Sequence, residues 1–96
     1  MNKDEIIRRL EALKTELMAR YKVKGVELFG SFARKDQGTN SDIDILLDFE
    51  DGADLFDFVG VGDFLEADLK RKVDVVPKNA LRKEIRETVL KEAVRV

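Results

Sequence analysis

The stretch that decides the fold runs from Leu28 to Phe49 and reads LFGSFARKDQGTNSDIDILLDF. Its second half, Asp42 to Phe49, alternates strictly. Ile43, Ile45, Leu47 and Phe49 fall on one face, and Asp42, Asp44, Leu46 and Asp48 on the other. That pattern predicts a strand with one buried face. Upstream, Val23 to Phe29 alternates as a second strand, with Val23, Gly25, Glu27 and Phe29 on one side and Lys24, Val26 and Leu28 on the other. Between the two lie Gly30-Ser31, a segment from Phe32 to Lys35 that fits one helical turn capped by Ser31, and a polar loop from Asp36 to Ser41.

Working outward, residues 3–20 place Ile6, Leu10, Leu13 and Leu17 on one helix face, and Asn2 with Glu5 resembles a capping box. Asp54 to Leu69 predicts a second helix, capped by Asp54, with Leu55, Phe56, Val59, Phe64, Leu65 and Leu69 on its buried side. Gly60 and Gly62 each cost about 1 kcal/mol there, which leaves open, beside one continuous helix, a break or two short helices. Lys72 to Val76 is a short strand stopped by Pro77. Asn79 to Glu92 closes the chain as a helix with Leu81, Ile85, Val89 and Ala93 in register. The order helix-strand-turn-strand-helix-strand-helix defines an α/β protein. Its expected form is one domain over residues 1–96, a three-stranded-core mixed sheet with helices mainly on one face.

Composition limits the chemistry. Among 96 residues there is no cysteine and no histidine, so thiolate or imidazole catalysis and the corresponding zinc sites are excluded. Any metal must be held by oxygen, which favours hard ions such as magnesium. No apolar run spans a bilayer and the N-terminus lacks a signal-peptide core, so a cytoplasmic location without membrane contact is expected. The net charge of −2 conceals a segregation: residues 36–69 hold eleven Asp/Glu and no Lys/Arg, while nine Lys/Arg lie on each side of them. An acidic middle attracts cations and basic flanks attract anions; alternatively these are solvated faces that pair on folding. The near-neutral total argues against general nucleic-acid binding.

Asp42 and Asp44, two apart on a strand, point the same way with Cα atoms roughly 6.5–7 Å apart. Such carboxylates repel one another unless a cation sits beside them. Asp74, alone between Val73 and Val75, joins them if its strand is the neighbour. Three carboxylates so placed suit two magnesium ions roughly 3.5–4 Å apart. Gly30-Ser31 supplies the complementary half, since backbone N–H groups at a helix start accept phosphate and glycine permits close approach. Each part has a plainer alternative: Asp-x-Asp can be a solvent face, Gly-Ser a turn, and Asp74 a charge that protects an edge strand.

Taken together, GSFARKDQGTNSDIDILLDF resembles the signature of the DNA polymerase beta-like nucleotidyltransferase superfamily: Gly-Ser, a spacer, then Asp-x-Asp. LFGSFAR, SDIDILLDF, KVDVV and the closing helix are similar, in that order, to the minimal nucleotidyltransferases (the MNT domain), across nearly the whole chain. The resemblance implies the small nucleotidyltransferase fold, Gly30 and Ser31 on the nucleotide phosphates, and Asp42, Asp44 and Asp74 as metal-binding catalytic carboxylates. It further implies transfer of a nucleoside monophosphate, AMP from ATP, to an acceptor hydroxyl with Mg2+. The implied acceptor is a tyrosine on an all-helical HEPN toxin, to which such proteins are the antitoxin half. A non-catalytic antitoxin that neutralises its partner by contact is the alternative, and self-association stays open. Two departures stand out: Lys35 occupies a position where the family often has glycine, and the following loop lacks a proline often seen there. Arg34 is open to either nucleotide contact or a structural ion pair.

Overall fold

A computed structural model describes all 96 residues. Helix α1 (Lys3–Tyr21) is followed by strand β1 (Val23–Phe29), the short helix α2 (Gly30–Arg34) and strand β2 (Ile43–Phe49). Helix α3 (Leu55–Leu69), strand β3 (Val73–Pro77), a 3-10 turn (Lys78–Ala80), helix α4 (Lys83–Glu92) and strand β4 (Val94–Arg95) complete the chain. The sheet order is β3-β2-β1-β4. β1 is antiparallel to β2 and to β4, whereas β2 and β3 are parallel, joined by α3 as a crossover. The sheet is thus mixed, as expected, but with four strands instead of three.

The main core lies on one side of the sheet. Ile43, Ile45 and Leu47 of β2 meet Ile6, Leu10, Leu13 and Leu17 of α1 and Val61, Leu65 and Leu69 of α3, all of them buried. The leucine stripe of α1 therefore does what its spacing predicts. Of the proposed box at its start, one half forms: the Asn2 side chain accepts from the Glu5 N–H at 2.9 Å. α3 has the complete box, Asp54 accepting from the Asp57 N–H and the Asp57 carboxylate accepting from the Asp54 N–H, both at 3.0 Å. Arg9 of α1 clasps Asp68 of α3 through two bonds of 2.8 and 2.7 Å, and this pairing holds the Asp68 carboxyl below its ordinary range.

Several expectations are corrected. β1 does not alternate throughout: Val23 is buried with Val26 and Leu28, because a bulge shifts the register between Val23 and Gly25 and makes Lys24 an extra residue. α2 begins at Gly30, so Ser31 lies inside the helix and caps nothing. β2 starts at Ile43, leaving Asp42 just outside it, and Pro77 belongs to β3. α3 is the single helix expected over this segment and takes the unbroken form through Gly60 and Gly62. Its first turns are not buried: Leu55, Phe56 and Val59 face solvent, and the buried set is Val61, Leu65 and Leu69. The closing helix starts four residues later than expected and buries nothing fully. Leu81 is buried, but ahead of that helix.

Two stability predictions follow from these backbones. Lys35 closes α2 in the left-handed conformation at φ 63°. This is where a helix end takes glycine most easily, which accounts for the glycine the family often carries there. Lys35→Gly is expected to stabilise the protein by about 1 kcal/mol in thermal or urea unfolding. In α3, a Cβ added at Gly62 would meet nothing within 4 Å, whereas one at Gly60 would lie 3.0 Å from the Tyr21 ring. Gly62→Ala should therefore gain roughly 0.5–1 kcal/mol, and Gly60→Ala should gain less than that or lose stability.

Candidate active site

The opposite side of the sheet is covered only in part. Leu46 is 1% exposed although it shares that side with Asp42, Asp44 and Asp48. The 3-10 turn packs on β2 there, and Lys78 of that turn pairs with Glu27 of β1 at 3.3 Å. Beyond this cover, toward the start of β2, the side is open, and the carboxylates stand there.

Asp44 is the centre. In the parallel ladder it is the direct partner of Asp74, and neighbouring strands lie roughly 4.8 Å apart. In the antiparallel ladder it is the partner of Phe29, so the chain leaving β1 turns across it. Gly30 makes that turn at φ +75°. A Cβ built on Gly30 would run into Asp44, 2.8 Å from its Cγ and 3.0 Å from its Cβ. The glycine is thus required twice over, for its dihedral angle and for the contact. The Gly30-Ser31 turn and the Asp-x-Asp strand that the sequence set side by side do touch, and Asp44 is where they meet.

The electrostatics agree with this geometry. The Asp44 carboxyl is half-buried and held above its ordinary pKa, first by that burial, then by the Asp74 and Asp42 carboxylates, with Arg34 opposing. No hydrogen bond contributes to relieving it. Asp42 is half-buried at the head of β2 and Asp74 is exposed. β3 lies at the edge of the sheet, so Asp74 also supplies the charge that an edge strand needs against mispairing. Ser31 is half-buried in the first turn of α2, beside Gly30.

An all-oxygen donor set, one carboxylate desolvated among like charges and no donor to satisfy it, fits a hard divalent cation in charge and chemistry. The chain does not, however, gather three acidic groups tightly enough to form a cage by itself. Further ligands would have to come from a bound phosphate or from water, which is the usual arrangement for magnesium.

Arg34 forms ion pairs within the fold while its charge also reaches Asp44. It donates to Asp36 at 3.1 Å and to Glu92 at 3.2 Å, tying α2 to the end of α4. Sequence reasoning had no access to Glu92 as its partner, because the two are 58 positions apart. Lys35 is exposed and unbonded to the carboxylates.

A family model described as nucleotidyltransferase domain matches residues 10–96. The protein adenylyltransferase MntA of Thermococcus cleftensis is 42% identical over 93 residues, 97% of this chain and 94% of that protein. A solved structure described as a minimal nucleotidyltransferase superimposes with a TM-score of 0.85 at 36% identity, covering 100% of this chain and 97% of that one. A toxin-antitoxin crystal structure with AMP-PNP superimposes with a TM-score of 0.70 at 25% identity, over 99% of this chain and 72% of that one. Fold and sequence therefore define an enzyme class: the chain belongs to the nucleotidyltransferase domain family and is a nucleotidyltransferase. Within the class it has the dimensions and topology of the minimal nucleotidyltransferases.

Proposed function

We propose that this protein transfers AMP from ATP to a hydroxyl on a partner protein, releasing pyrophosphate, and so acts as the antitoxin of a toxin-antitoxin pair. The acceptor in this reading is a tyrosine of an HEPN-type toxin, as the family resemblance implies. The observation that carries the reading is the contact of Gly30 with Asp44, in register with Asp74, because it joins a phosphate-binding turn to a carboxylate face. Support for a protein acceptor comes from the relative named a protein adenylyltransferase, and support for the nucleotide from the AMP-PNP complex of a structural neighbour.

In the proposed reaction the acceptor oxygen bonds to the α-phosphorus, the bond from that phosphorus to the β-bridging oxygen breaks, and the hydroxyl proton leaves. Asp42, Asp44 and Asp74 would hold Mg2+, which when bound offsets charge on the triphosphate and the departing pyrophosphate. Gly30 leaves the approach to Asp44 clear. The N–H groups of Ser31 and its neighbours at the start of α2, with the Ser31 hydroxyl, are donors for phosphate oxygens. Asp74, exposed and lacking a hydrogen-bond partner, is the carboxylate available to accept the proton. With no histidine in the chain, a carboxylate is the base that remains.

The test incubates the protein with magnesium, ATP labelled in the α-phosphate and the protein encoded beside it in the genome. Label should pass to the partner and should be lost with Asp42→Asn or Asp44→Asn. A partner that stays unlabelled yet is neutralised equally by wild type and both variants would establish the contact-only antitoxin instead.

A further inference from the structure

Helix α3 carries three large apolar side chains that the sheet does not use: Leu55, Phe56 and Val59 are 72%, 86% and 51% exposed. Scattered exposed apolar residues are ordinary, but residues spaced three and four apart on a helix are neighbours, so these form one patch. The patch is flanked by open hollows on both sides. One, of about 480 Å³, is lined by Phe49, Leu55, Phe58 and Pro77 among others. The second, of about 290 Å³, is lined by Phe58, Val59 and Gly62 of α3 and by Val73, Asp74 and Val75 of β3, and so lies between the patch and the edge strand on the α3 side of the sheet.

Its rim is acidic. Asp51, Asp54 and Asp63 are exposed around it, and residues 36–69 contain no lysine or arginine. Lys22, the cation that reaches this end of α3, is engaged by Asp57 at 3.9 Å and by the Gly52 carbonyl at 3.3 Å. An apolar centre inside a ring of one charge selects a surface with an apolar protrusion inside a ring of the other. We infer that the Leu55–Phe56–Val59 face docks a protein partner presenting an apolar protrusion flanked by lysine or arginine. A second copy of this chain is the poorer fit. Its own amphipathic helix α4 exposes Ile85 and Leu90, but Lys83, Arg86 and Lys91 are balanced there by Glu84, Glu87 and Glu92. An anionic lipid surface would be repelled by the acidic rim. The docking surface does not depend on the function proposed above.

Two short amphipathic helical peptides with the same leucine face, one flanked by lysines and the other by glutamates, separate these possibilities when titrated against the full chain at low salt. The lysine peptide should bind at least about tenfold more tightly than the glutamate peptide, and Phe56→Ser should weaken it at least about tenfold. Phe56→Ser should leave the melting temperature and ATP binding unchanged, since the side chain lies outside the core. Loss of docking with ATP binding intact thus reports on the patch alone, whatever becomes of the catalytic reading. Equal affinity for the two peptides, or no effect of Phe56→Ser, would overturn the inference. A concentration-dependent dimer in sedimentation velocity that Phe56→Ser dissolves would also overturn it, by assigning the patch to a second copy.

Discussion

Asp44→Asn is expected to lower nucleotidyl transfer by at least about 100-fold, the upper end of what removing a group merely supporting a metal ligand costs, while making the fold more stable at neutral pH. The two effects have one origin. Burial and the neighbouring Asp74 and Asp42 carboxylates hold the Asp44 carboxyl above its ordinary value of 3.8. Between that value and the raised one, the native state binds the proton more tightly than the unfolded chain does. Stability therefore falls as pH rises through this window, and the full penalty is present above the raised value. Asparagine keeps the shape and removes the charge. The gain from Asp44→Asn should thus be absent below about pH 3.8, grow as pH rises, and level off above the folded titration. Thermal melts of both proteins across pH 3–8 measure it, with labelled ATP reporting transfer. Asp68 provides the contrast of sign. Arg9 holds its carboxyl below the ordinary value, so Asp68→Asn should lose stability at neutral pH, and that loss should fade as pH falls through the depressed value. If Asp44→Asn melts lower than wild type at pH 7, the carboxylate is a structural acceptor and the site reading fails.

How far the sequence could be read follows from where burial is decided. The alternation of Ile43, Ile45 and Leu47 against Asp42 and Asp44 is local, and the sheet preserves it. The same holds for the leucine stripe of α1. α3 was misjudged because its amphipathic pattern continues past the sheet: Leu55, Phe56 and Val59 are apolar but have no strand beneath them, and only tertiary placement reveals that. Gly60 and Gly62 fail to break the helix because the Asp54–Asp57 box fixes one end and Val61, Leu65 and Leu69 bury the other. Those terms outweigh about 1 kcal/mol per glycine. β4 escaped notice because two residues carry no period, although Val94 and Val96 pack against the core and the Val96 N–H donates to the Val26 carbonyl at 3.0 Å. The candidate site was more legible than the fold around it. Its residues are fixed by strand parity and by one glycine, whereas its openness depends on where the 3-10 turn and α4 come to rest, and no short-range pattern specifies that.

Gly30→Ala is expected to be the most damaging single-methyl change in the chain, destabilising the fold by about 2–5 kcal/mol and reducing transfer as far as Asp44→Asn does. Two costs combine. At φ +75° a Cβ is itself unfavourable by about 1–2 kcal/mol. The new methyl would also press on the Asp44 carboxylate, 2.8 Å from Cγ, at about 1–3 kcal/mol for overpacking. For a protein of this size the sum lowers the melting temperature on the order of 10 °C. Relief can come only by rotating Asp44 away or by lifting the start of α2 off the sheet. Either movement separates the proposed phosphate donors of the turn from the carboxylates of β2 and β3, which is why the loss of transfer should match that of losing Asp44. A double-mutant cycle isolates the contact from the backbone term. In an Asp44→Ala background the carboxyl group is gone and only the 3.0 Å approach to the Cβ at position 44 remains, so Gly30→Ala should cost little more than the dihedral penalty of about 1–2 kcal/mol. The coupling between the two positions, up to about 1–3 kcal/mol, is the energy of the clash with the carboxyl group. Equal costs in the two backgrounds would mean that Gly30 is held by its dihedral angle alone. The turn and the Asp-x-Asp strand would then be neighbours in register without forming a single site.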